Sequence, residues 1–260
     1  MEKRICKFFS NGHCKKGDSC EFKHVKIDKP LNTNPNNKRN NKRRKGKNTE
    51  TFEPSHKNAD MYVRVLSSQM SPFKYYDRDV NVIPDLYCSP DDMTIYDNLL
   101  EEIKKTGAED EGLWKLWHGD THLIADDKIR WKQDCPTFNM VLKKMEEYFK
   151  IDIKATRLNW YRDSSEWKPY HHDAAAVDPR KAKTQNLTVG VSFGAEREIA
   201  FEHAKNRNLT SFPLPNGTTY TFGKDVNIEW RHGVPQLPPD QQHNNGRISI
   251  IAWGWIEPEI

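Results

Sequence analysis

Residues 167–173 have the sequence Trp-Lys-Pro-Tyr-His-His-Asp, and the interpretation of the whole chain depends on this stretch. It follows residues 155–161 (ATRLNWY), whose composition predicts a β-strand. On an extended backbone, residues i and i+2 point to the same face. His171 and Asp173 therefore direct an imidazole nitrogen and a carboxylate oxygen towards one point, whereas His172 faces away. A His-x-Asp pair alone is more typical of a solvated turn, so its meaning depends on other residues.

Two histidines and one carboxylate form the facial triad of non-heme iron(II) oxygenases, so a second histidine is needed. The remaining candidates lie after residue 60, and they are His118, His122, His172, His203, His232 and His243. The orientation of His172 argues against it. His243 lies in the polar loop 240–246, whereas His232 follows a predicted strand.

Arg247 begins the apolar strand Arg-Ile-Ser-Ile-Ile-Ala-Trp, fifteen residues after His232. A lone arginine that enters a core strand needs an anionic partner, because burial of an unpaired charge is costly. A dicarboxylate cosubstrate would supply that partner through a bidentate pair with the guanidinium.

The body of the chain, residues 61–260, predicts an α+β fold. Val80–Pro84 is a predicted strand, and Ser89-Pro90 predicts the start of a helix that ends near Gly107. A second helix begins at Pro136, and its apolar face is formed by Phe138, Val141, Leu142, Met145 and Phe149. Short strands are predicted at residues 153–162, 186–193, 197–202, 218–222, 226–231 and 247–254. Two helices followed by many short strands favour an antiparallel sandwich or barrel.

The charge of the chain is uneven. Residues 1–60 hold 16 Lys/Arg against 7 Asp/Glu, a net charge of +9, and the whole chain carries +4, which leaves −5 for residues 61–260. A basic appendage on a mildly acidic body indicates a polyanion partner, most simply nucleic acid. The first residues do not resemble a signal peptide, and no apolar run reaches membrane-spanning length. We therefore expect a soluble protein of the nucleus or cytoplasm that has no membrane partner.

The first thirty residues contain a metal-ligand pattern. Seven, five and three residues separate the potential ligands Cys6, Cys14, Cys20 and His24. Three thiolates and one imidazole form a closed tetrahedral site for structural Zn(II), which would supply the folding free energy of so short a segment. Phenylalanine and lysine side chains between the ligands suit single-stranded RNA, whose bases stack on rings. This segment resembles a CCCH-type zinc finger, a family with RNA-binding members, although some of its members contact proteins instead.

Residues 28–60 are rich in Asn and Lys, and seven of the ten residues 38–47 are basic. Such a segment cannot form a core and is predicted to be a disordered linker between the finger, residues 1–27, and the domain 61–260. Two hypotheses for it stay open. It either binds phosphates or directs nuclear import, or it is only a solvated tether.

Five landmarks in order resemble the AlkB-like 2-oxoglutarate/Fe(II) dioxygenases. They are Asn159-x-Tyr161, His171-x-Asp173, the strand 187–194, Trp230-Arg231-His232 and Arg247-Ile-Ser249. The resemblance covers about residues 79–256 and implies a double-stranded β-helix, or jelly roll, with flanking helices. It implies Fe(II) ligation by His171, Asp173 and His232. It also implies that Arg247 holds the distal carboxylate of 2-oxoglutarate, with Asn159, Tyr161 and Ser249 as further contacts.

The resemblance also implies the reaction. 2-Oxoglutarate and O2 give succinate and CO2, and one oxygen atom enters a substrate C–H bond. Hydroxylation of an N-methyl group releases formaldehyde. AlkB-like enzymes usually carry a second arginine six residues after the first, but this position is Trp253, which puts membership of the alkylation-repair group in doubt. Residues 113–131, rich in Trp and His, occupy the position of the family's substrate lid, where rings could sandwich a base, although core packing is the expected role of any single Trp.

Three functions follow as hypotheses. The first is an iron/2-oxoglutarate dioxygenase that hydroxylates or demethylates nucleic acid, with RNA favoured and the finger and basic linker as the binding elements. The second is a non-catalytic RNA-binding protein whose barrel is a scaffold. The third keeps the enzyme but makes its substrate a protein side chain.

Overall fold

A computed structural model describes residues 19–21, 23, 52–57, 61–69, 73–106, 115–116, 123–126 and 134–257. The chain divides into two compact units, Met1–Arg44 and Lys45–Ile260, and the second is described here by itself. Three predicted zinc ligands, Cys6, Cys14 and His24, lie outside the described residues, whereas Cys20 is half-buried. The side chains of segment 113–131 lie outside them as well.

Two helices flank the sheets, α1 at Thr94–Lys105 and α2 at Pro136–Phe149. The predicted start of the first helix at Ser89-Pro90 is wrong, because residues 89–92 form a turn in which the Asp92 amide donates to the Ser89 carbonyl. The Asn216 amide donates to the Asp92 carbonyl at 2.7 Å and holds this turn in place. The second helix begins at Pro136 as predicted, and its apolar face is buried.

Glu102 of α1 caps the N-terminus of α2. Its carboxylate accepts hydrogen bonds from the backbone amides of Thr137 at 2.5 Å and Phe138 at 3.2 Å, and the side chain is buried. These amides are among the first four of a helix, which have no partner within the helix itself. The contact therefore joins the two helices and satisfies donors that would otherwise be buried without a partner.

Replacing Glu102 with alanine is expected to lower the free energy of unfolding by about 1–3 kcal/mol, because the buried Phe138 amide and the half-buried Thr137 amide lose their acceptor. Denaturant unfolding measures this change. Glu101→Ala is the matched control, because Glu101 is exposed and pairs only with exposed Lys105 one turn away. The control should change stability by less than about 0.5 kcal/mol. Equal effects of the two substitutions would show that the capping contact is unimportant.

The described residues form twelve strands and two further short helices, α3 at Pro179–Ala182 and α4 at Lys224–Glu229. The strands are β1 Tyr62–Val65, β2 Asp79–Ile83, β3 Lys115–Leu116, β4 Leu123–Asp126, β5 Asp152–Tyr161, β6 Lys168–His171, β7 Leu187–Gly194, β8 Arg197–His203, β9 Leu209–Leu214, β10 Thr219–Gly223, β11 Trp230–Val234 and β12 Arg247–Trp255. No described helix is long and apolar enough to cross a membrane.

The strands form two sheets of mainly antiparallel pairs. The larger sheet has the order β1-β2-β10-β7-β12-β5-β4-β3, and the smaller one has the order β6-β11-β8-β9. Among the described pairs only β1 and β2 run parallel. Two antiparallel-rich sheets with flanking helices confirm the predicted α+β fold and its jelly-roll character.

The larger sheet buries both faces. Val189, Val191 and Phe193 of β7 pack with the apolar faces of α1 and α2 in one cluster. The opposite face packs against the smaller sheet in a second cluster, which includes Phe222 of β10 and Phe201 of β8. Because side chains alternate along a strand, Thr188, Gly190 and Ser192 of β7 share the face towards the smaller sheet. This alternation decides which residues reach the space between the sheets.

The predicted strand at residues 226–231 is wrong. Residues 224–229 form α4, and the strand β11 begins only at Trp230. The β-branched residues Val226 and Ile228 favour a strand by propensity. The Asp77 carbonyl accepts hydrogen bonds from the amides of Asp225 and Val226, which supports the helical turn, and Val226 is buried in the core. Tertiary contacts thus outweigh the local preference.

Strand β9 was not predicted, and it contains Pro213. Proline is tolerated there because β9 is an edge strand of the smaller sheet. Residues 52–57, which belong to the predicted linker, lie along this strand. The His56 amide donates to the Ser211 carbonyl at 2.9 Å, and the Thr210 hydroxyl donates to the His56 carbonyl at 3.2 Å. These bonds cover part of an otherwise open sheet edge.

Candidate metal centre

Three of the predicted ligands converge in the space between the sheets. His171 is the last residue of β6, and Asp173 follows it by two residues on extended backbone, with φ −68° and ψ 155°. His232 lies on β11 directly opposite His171 in the antiparallel pair. One ligand atom from each side chain lies within 4.8 Å of the others. In the part of the chain that the structure describes, no other group of this kind is found.

Hydrogen bonds orient the His171 and Asp173 side chains. His171 Nδ1 lies 2.9 Å from the Pro169 carbonyl, so this nitrogen is the donor and Nε2 is left for a metal. The Asp173 carboxylate accepts a hydrogen bond from the Thr188 hydroxyl at 2.9 Å, and its backbone amide donates to Asn227 Oδ1 at 2.8 Å. Such partners of metal ligands fix the tautomer and the direction of each ligand.

His232 is held mainly by packing. Its ring centroid lies 4.4 Å from that of His171 and 4.8 Å from that of Phe222. The side chain is buried, and Nδ1 has no hydrogen-bond partner among the described residues. Its Nε2 lies 3.5 Å from Asp173 Oδ1, which is too long for a good hydrogen bond but suits two ligands of one ion.

The charge state of the cluster fits a divalent metal. Burial, followed by the neighbouring His232 and Lys168, lowers the pKa of His171 well below its ordinary value, so the imidazole is neutral. Burial alone would raise the pKa of Asp173, but His232 and His171 outweigh it and hold this pKa below its usual range. A neutral imidazole and an ionised carboxylate are the forms that bind metal. A buried carboxylate also needs a compensating cation, which iron would supply.

The other histidine candidates do not join this group. His172 Nδ1 lies 2.6 Å from the Asn227 carbonyl, consistent with its predicted orientation away from His171 and Asp173. His203 packs edge to face against the Trp230 ring, and His243 lies in an exposed loop. His118 and His122 lie outside the described residues.

The residues predicted to bind the cosubstrate lie in the same cleft as the three candidate metal ligands. Strands β5 and β12 are neighbours, with Arg247 opposite Tyr161 and Ser249 opposite Asn159. All four side chains line one cleft together with His171, Asp173 and His232. The alternation of the two strands thus brings four residues, separated by up to 90 positions, to one face.

Arg247 has the features of an anion-binding residue. It is 2% exposed, its Nε donates to the Ser192 hydroxyl at 2.7 Å, and its Nη1 has no hydrogen-bond partner among the described residues. Its guanidinium carbon lies 5.1 Å from the centre of the Tyr161 ring. Burial raises the pKa of Tyr161, so its hydroxyl stays neutral and can donate to an anion. A buried cation with an unused donor beside a cleft fits a carboxylate of 2-oxoglutarate.

Several residues that support or line the cleft were not predicted. Thr188 and Ser192 hydrogen-bond to Asp173 and Arg247, and the strand alternation of residues 187–194 contains a signal for both. Gly190 lies between them in the sequence. A Cβ at this position would come within 2.3 Å of the Tyr220 ring, so glycine leaves the room that this ring needs. Lys168, two residues before Tyr170, also lines the cleft.

Trp253, which replaces the second arginine of AlkB-like enzymes, lines the same cleft. It lies on the face of β12 that also carries Arg247, Ser249 and Ile251. The Arg157 guanidinium carbon lies 5.5 Å from the centre of the indole ring. The position therefore contributes an aromatic surface, and no charge, to the cleft.

A buried cluster of two histidines and one carboxylate, beside a buried arginine in a jelly roll, defines a non-heme iron oxygenase with an anionic cosubstrate. The comparisons with known proteins agree. A model of the 2OG-Fe(II) oxygenase superfamily matches residues 116–252, more than half of the chain. The chain belongs to this superfamily, whose enzymes use Fe(II) and 2-oxoglutarate.

A second family model matches the predicted zinc finger. The model "Zinc finger C-x8-C-x5-C-x3-H type (and similar)" matches residues 1–26, although seven residues separate Cys6 and Cys14 here. The segment is a CCCH zinc finger, and zinc is its metal.

Two individual proteins are also similar to this chain over part of its length. The chain is 21% identical over 192 residues to "Uncharacterized protein R406" of Acanthamoeba polyphaga mimivirus, covering 69% of this chain and 91% of the relative. A solved structure, "The structure of OsALKBH1", is similar with 20% identity and a TM-score of 0.32, over 40% of this chain and 49% of that one. The match thus spans about half the length of that solved chain.

Proposed function

We propose that this enzyme hydroxylates or oxidatively demethylates a nucleic acid, RNA in preference to DNA, and that its zinc finger and basic linker hold the polyanion. The main support for the proposed chemistry is the convergence of His171, Asp173 and His232 in one cleft with the buried Arg247. The main support for a nucleic-acid substrate is the zinc finger, which is followed by a segment with seven basic residues in ten.

Each residue has a proposed role. His171, Asp173 and His232 bind Fe(II), and Arg247 binds the distal carboxylate of 2-oxoglutarate, with Asn159, Tyr161 and Ser249 as further contacts. Bound iron and 2-oxoglutarate supply the oxidation: one oxygen atom of O2 enters succinate, and the other enters the substrate C–H bond. The protein orients the reactants, keeps Asp173 ionised and excludes water by enclosing the cleft between two sheets.

The domain organisation follows from the same proposal. Residues 1–27 form the finger, with Cys6, Cys14, Cys20 and His24 as zinc ligands. Residues 28–60 connect it to the oxygenase domain, residues 61–260. A tethered finger raises the local concentration of the nucleic acid near the cleft, so affinity from the finger helps catalysis without contact to the reacting atoms.

Mass spectrometry of nucleosides tests this function. The full chain is incubated with Fe(II), 2-oxoglutarate and either cellular RNA or DNA, and nucleosides are compared before and after. We expect one RNA nucleoside to gain an oxygen or lose a methyl group, and Asp173→Ala should abolish the change. Cys20→Ser, which removes a proposed zinc ligand, should raise KM for RNA about tenfold or more, because stacking and phosphate contacts are lost.

Substrate oxidation that appears only on a peptide pool, with RNA and DNA unchanged, would contradict the nucleic-acid proposal and favour a side-chain hydroxylase. Unchanged KM for RNA in Cys20→Ser would contradict the role of the finger. Succinate release without added nucleic acid is a useful internal control, because Cys20→Ser should leave it unaffected.

A further inference from the structure

Trp253 brings a hydrogen-bond donor into the cleft that holds the candidate metal ligands. The residue lies near the end of β12 and lines the cleft together with Asp173 and His232. Its indole Nε1 is buried and has no acceptor at normal hydrogen-bond geometry among the described residues. A buried indole N–H usually finds an acceptor, because it has given up its hydrogen bond to water. Its neighbours therefore decide which acceptor it can reach.

The strand register places Trp253 beside the residue that orients Asp173. Trp253 of β12 lies directly opposite Thr188 of β7 in an antiparallel pair. Two side chains in such a pair share one face of the sheet, with Cβ atoms about 4.5–5.5 Å apart. The Thr188 hydroxyl donates to Asp173 Oδ2 at 2.9 Å. The indole therefore lies next to a side chain that already binds this carboxylate.

The backbone and a cation hold the indole in this direction. The register of β12 against β5 shifts between Trp253 and Gly254. A Cβ at Gly254 would come within 2.3 Å of the Asp152 carbonyl, so the two strands approach closely at this irregularity. Such irregularities re-aim side chains next to active sites. The Arg157 guanidinium carbon lies over the indole ring, 5.5 Å from its centre, and stabilises its placement.

The two oxygens of the Asp173 carboxylate have different surroundings. Oδ2 accepts the hydrogen bond from Thr188, whereas Oδ1 lies 3.5 Å from His232 Nε2 and so faces the other candidate ligands. Although the contact of the indole with this carboxylate falls outside normal hydrogen-bond geometry, it has an effect. Burial raises the pKa of Asp173, and a hydrogen bond from Trp253 is among the influences that lower it, after those of the two histidines.

We propose that Trp253 is a positioning residue of the metal centre, and that its indole N–H donates to the Asp173 carboxylate, so that Trp253 and Thr188 together direct Oδ1 towards the metal. This inference rests on the proposed iron site and adds to it a residue that does not touch the ion. Partners of this kind fix the direction of a metal ligand. At the position where AlkB-like enzymes usually carry an arginine, the indole supplies a donor without adding a charge to a cleft that already contains Arg247.

Binding of Mn(II) to the full-length, zinc-loaded protein tests the proposal, with electron paramagnetic resonance of the free ion as the readout. Mn(II) prefers carboxylate to thiolate ligands, so it reports on the cleft and not on the finger. Trp253→Phe keeps an aromatic ring and removes the N–H. We expect Kd for Mn(II) to rise about tenfold, the effect of losing a partner of a metal ligand, and Thr188→Val should have a similar effect.

Trp255→Phe is the matched control. Trp255 lies on the same strand, but its indole donates to Glu257 at 3.0 Å and does not line the cleft. Its Kd for Mn(II) should equal that of the wild type. Equal increases of Kd in Trp253→Phe and Trp255→Phe would contradict a specific role of Trp253.

Nuclear magnetic resonance of the indole N–H groups separates a hydrogen bond from packing. The full chain with isotope-labelled tryptophan has eight tryptophans, and the Trp253 peak is the one absent in Trp253→Phe. In Asp173→Ala, which keeps Trp253, we expect this proton to move to higher field and to exchange faster with solvent, because its acceptor is lost. The Trp255 peak should not move. A tryptophan that only fills space would keep its peak in Asp173→Ala, and Trp253→Phe would lower Tm without changing Kd.

The failures of the two proposals are distinguishable. Wild-type protein that binds no Mn(II) in the cleft would overturn the assignment of the metal site itself. Wild-type protein that binds Mn(II), with an unchanged Kd in Trp253→Phe or an unmoved Trp253 peak in Asp173→Ala, would overturn only the role of Trp253.

Discussion

Replacing Asp173 with alanine is expected to reduce succinate release from 2-oxoglutarate to background. Asp173 supplies the carboxylate among the three candidate metal ligands. The Thr188 hydroxyl orients its side chain, which lies beside both histidines. Loss of even a hydrogen-bond partner of a metal ligand costs about 10–100-fold in affinity or activity. Loss of the ligand itself should therefore cost at least about a hundredfold. His171→Ala is expected to behave in the same way.

The control for this prediction is His243→Ala. His243 is a histidine of the same domain in an exposed loop, and its side-chain Nδ1 only accepts a hydrogen bond from the Asn245 amide. Succinate release should match that of the wild type. Equal turnover in Asp173→Ala, His171→Ala and His243→Ala would show that the cluster does not hold the catalytic metal.

Replacing Arg247 with methionine is expected to raise KM for 2-oxoglutarate by about a hundredfold, with a smaller effect on kcat. The guanidinium is buried, and its Nη1 is available to an anion. Truncation of one partner of a buried charge pair costs about 2–5 kcal/mol, because the other charge stays buried without compensation. Steady-state kinetics at varied 2-oxoglutarate measures the change, with succinate as the product.

Arg197→Met is the matched control for Arg247. Arg197 is also buried, but its two terminal nitrogens donate to the carbonyls of Glu166 at 2.9 Å and Pro235 at 2.8 Å. Both terminal nitrogens of its guanidinium therefore stabilise the fold and bind carbonyl groups, not an anion. We expect the control to lose stability by about 1–3 kcal/mol, because acceptors lose their donors, with little change of KM in the folded protein. An unchanged KM in Arg247→Met would contradict the proposed cosubstrate site.

The sequence predicts those parts of the site that depend on strand alternation. His171 and Asp173 are two residues apart on extended backbone, and the structure places both in the cleft while His172 bonds elsewhere. Arg247 was predicted because a charged residue opens an apolar strand. In each case the local period of two residues contains the information.

Other parts depend on contacts that no local pattern contains. Placing His232 beside His171 requires the pairing of β6 with β11, so the local pattern could favour His232 but only the family resemblance assigned it as the second histidine. The helix α4 replaces a predicted strand because the Asp77 carbonyl, far away in the sequence, accepts its first amides. Lys168 stands in the stretch 167–173, yet no local pattern predicts that it is buried in the cleft. Tertiary packing decides these positions, so propensity and periodicity could not predict them.

We propose that His171, Asp173 and His232 bind the iron. Metal analysis of protein reconstituted anaerobically with Fe(II) and then desalted tests it most directly. We predict one iron and one zinc per chain in the wild type, and in Asp173→Ala the loss of the iron with the zinc retained, because the finger has its own ligands. Equal iron content in the wild type and in Asp173→Ala would contradict the account.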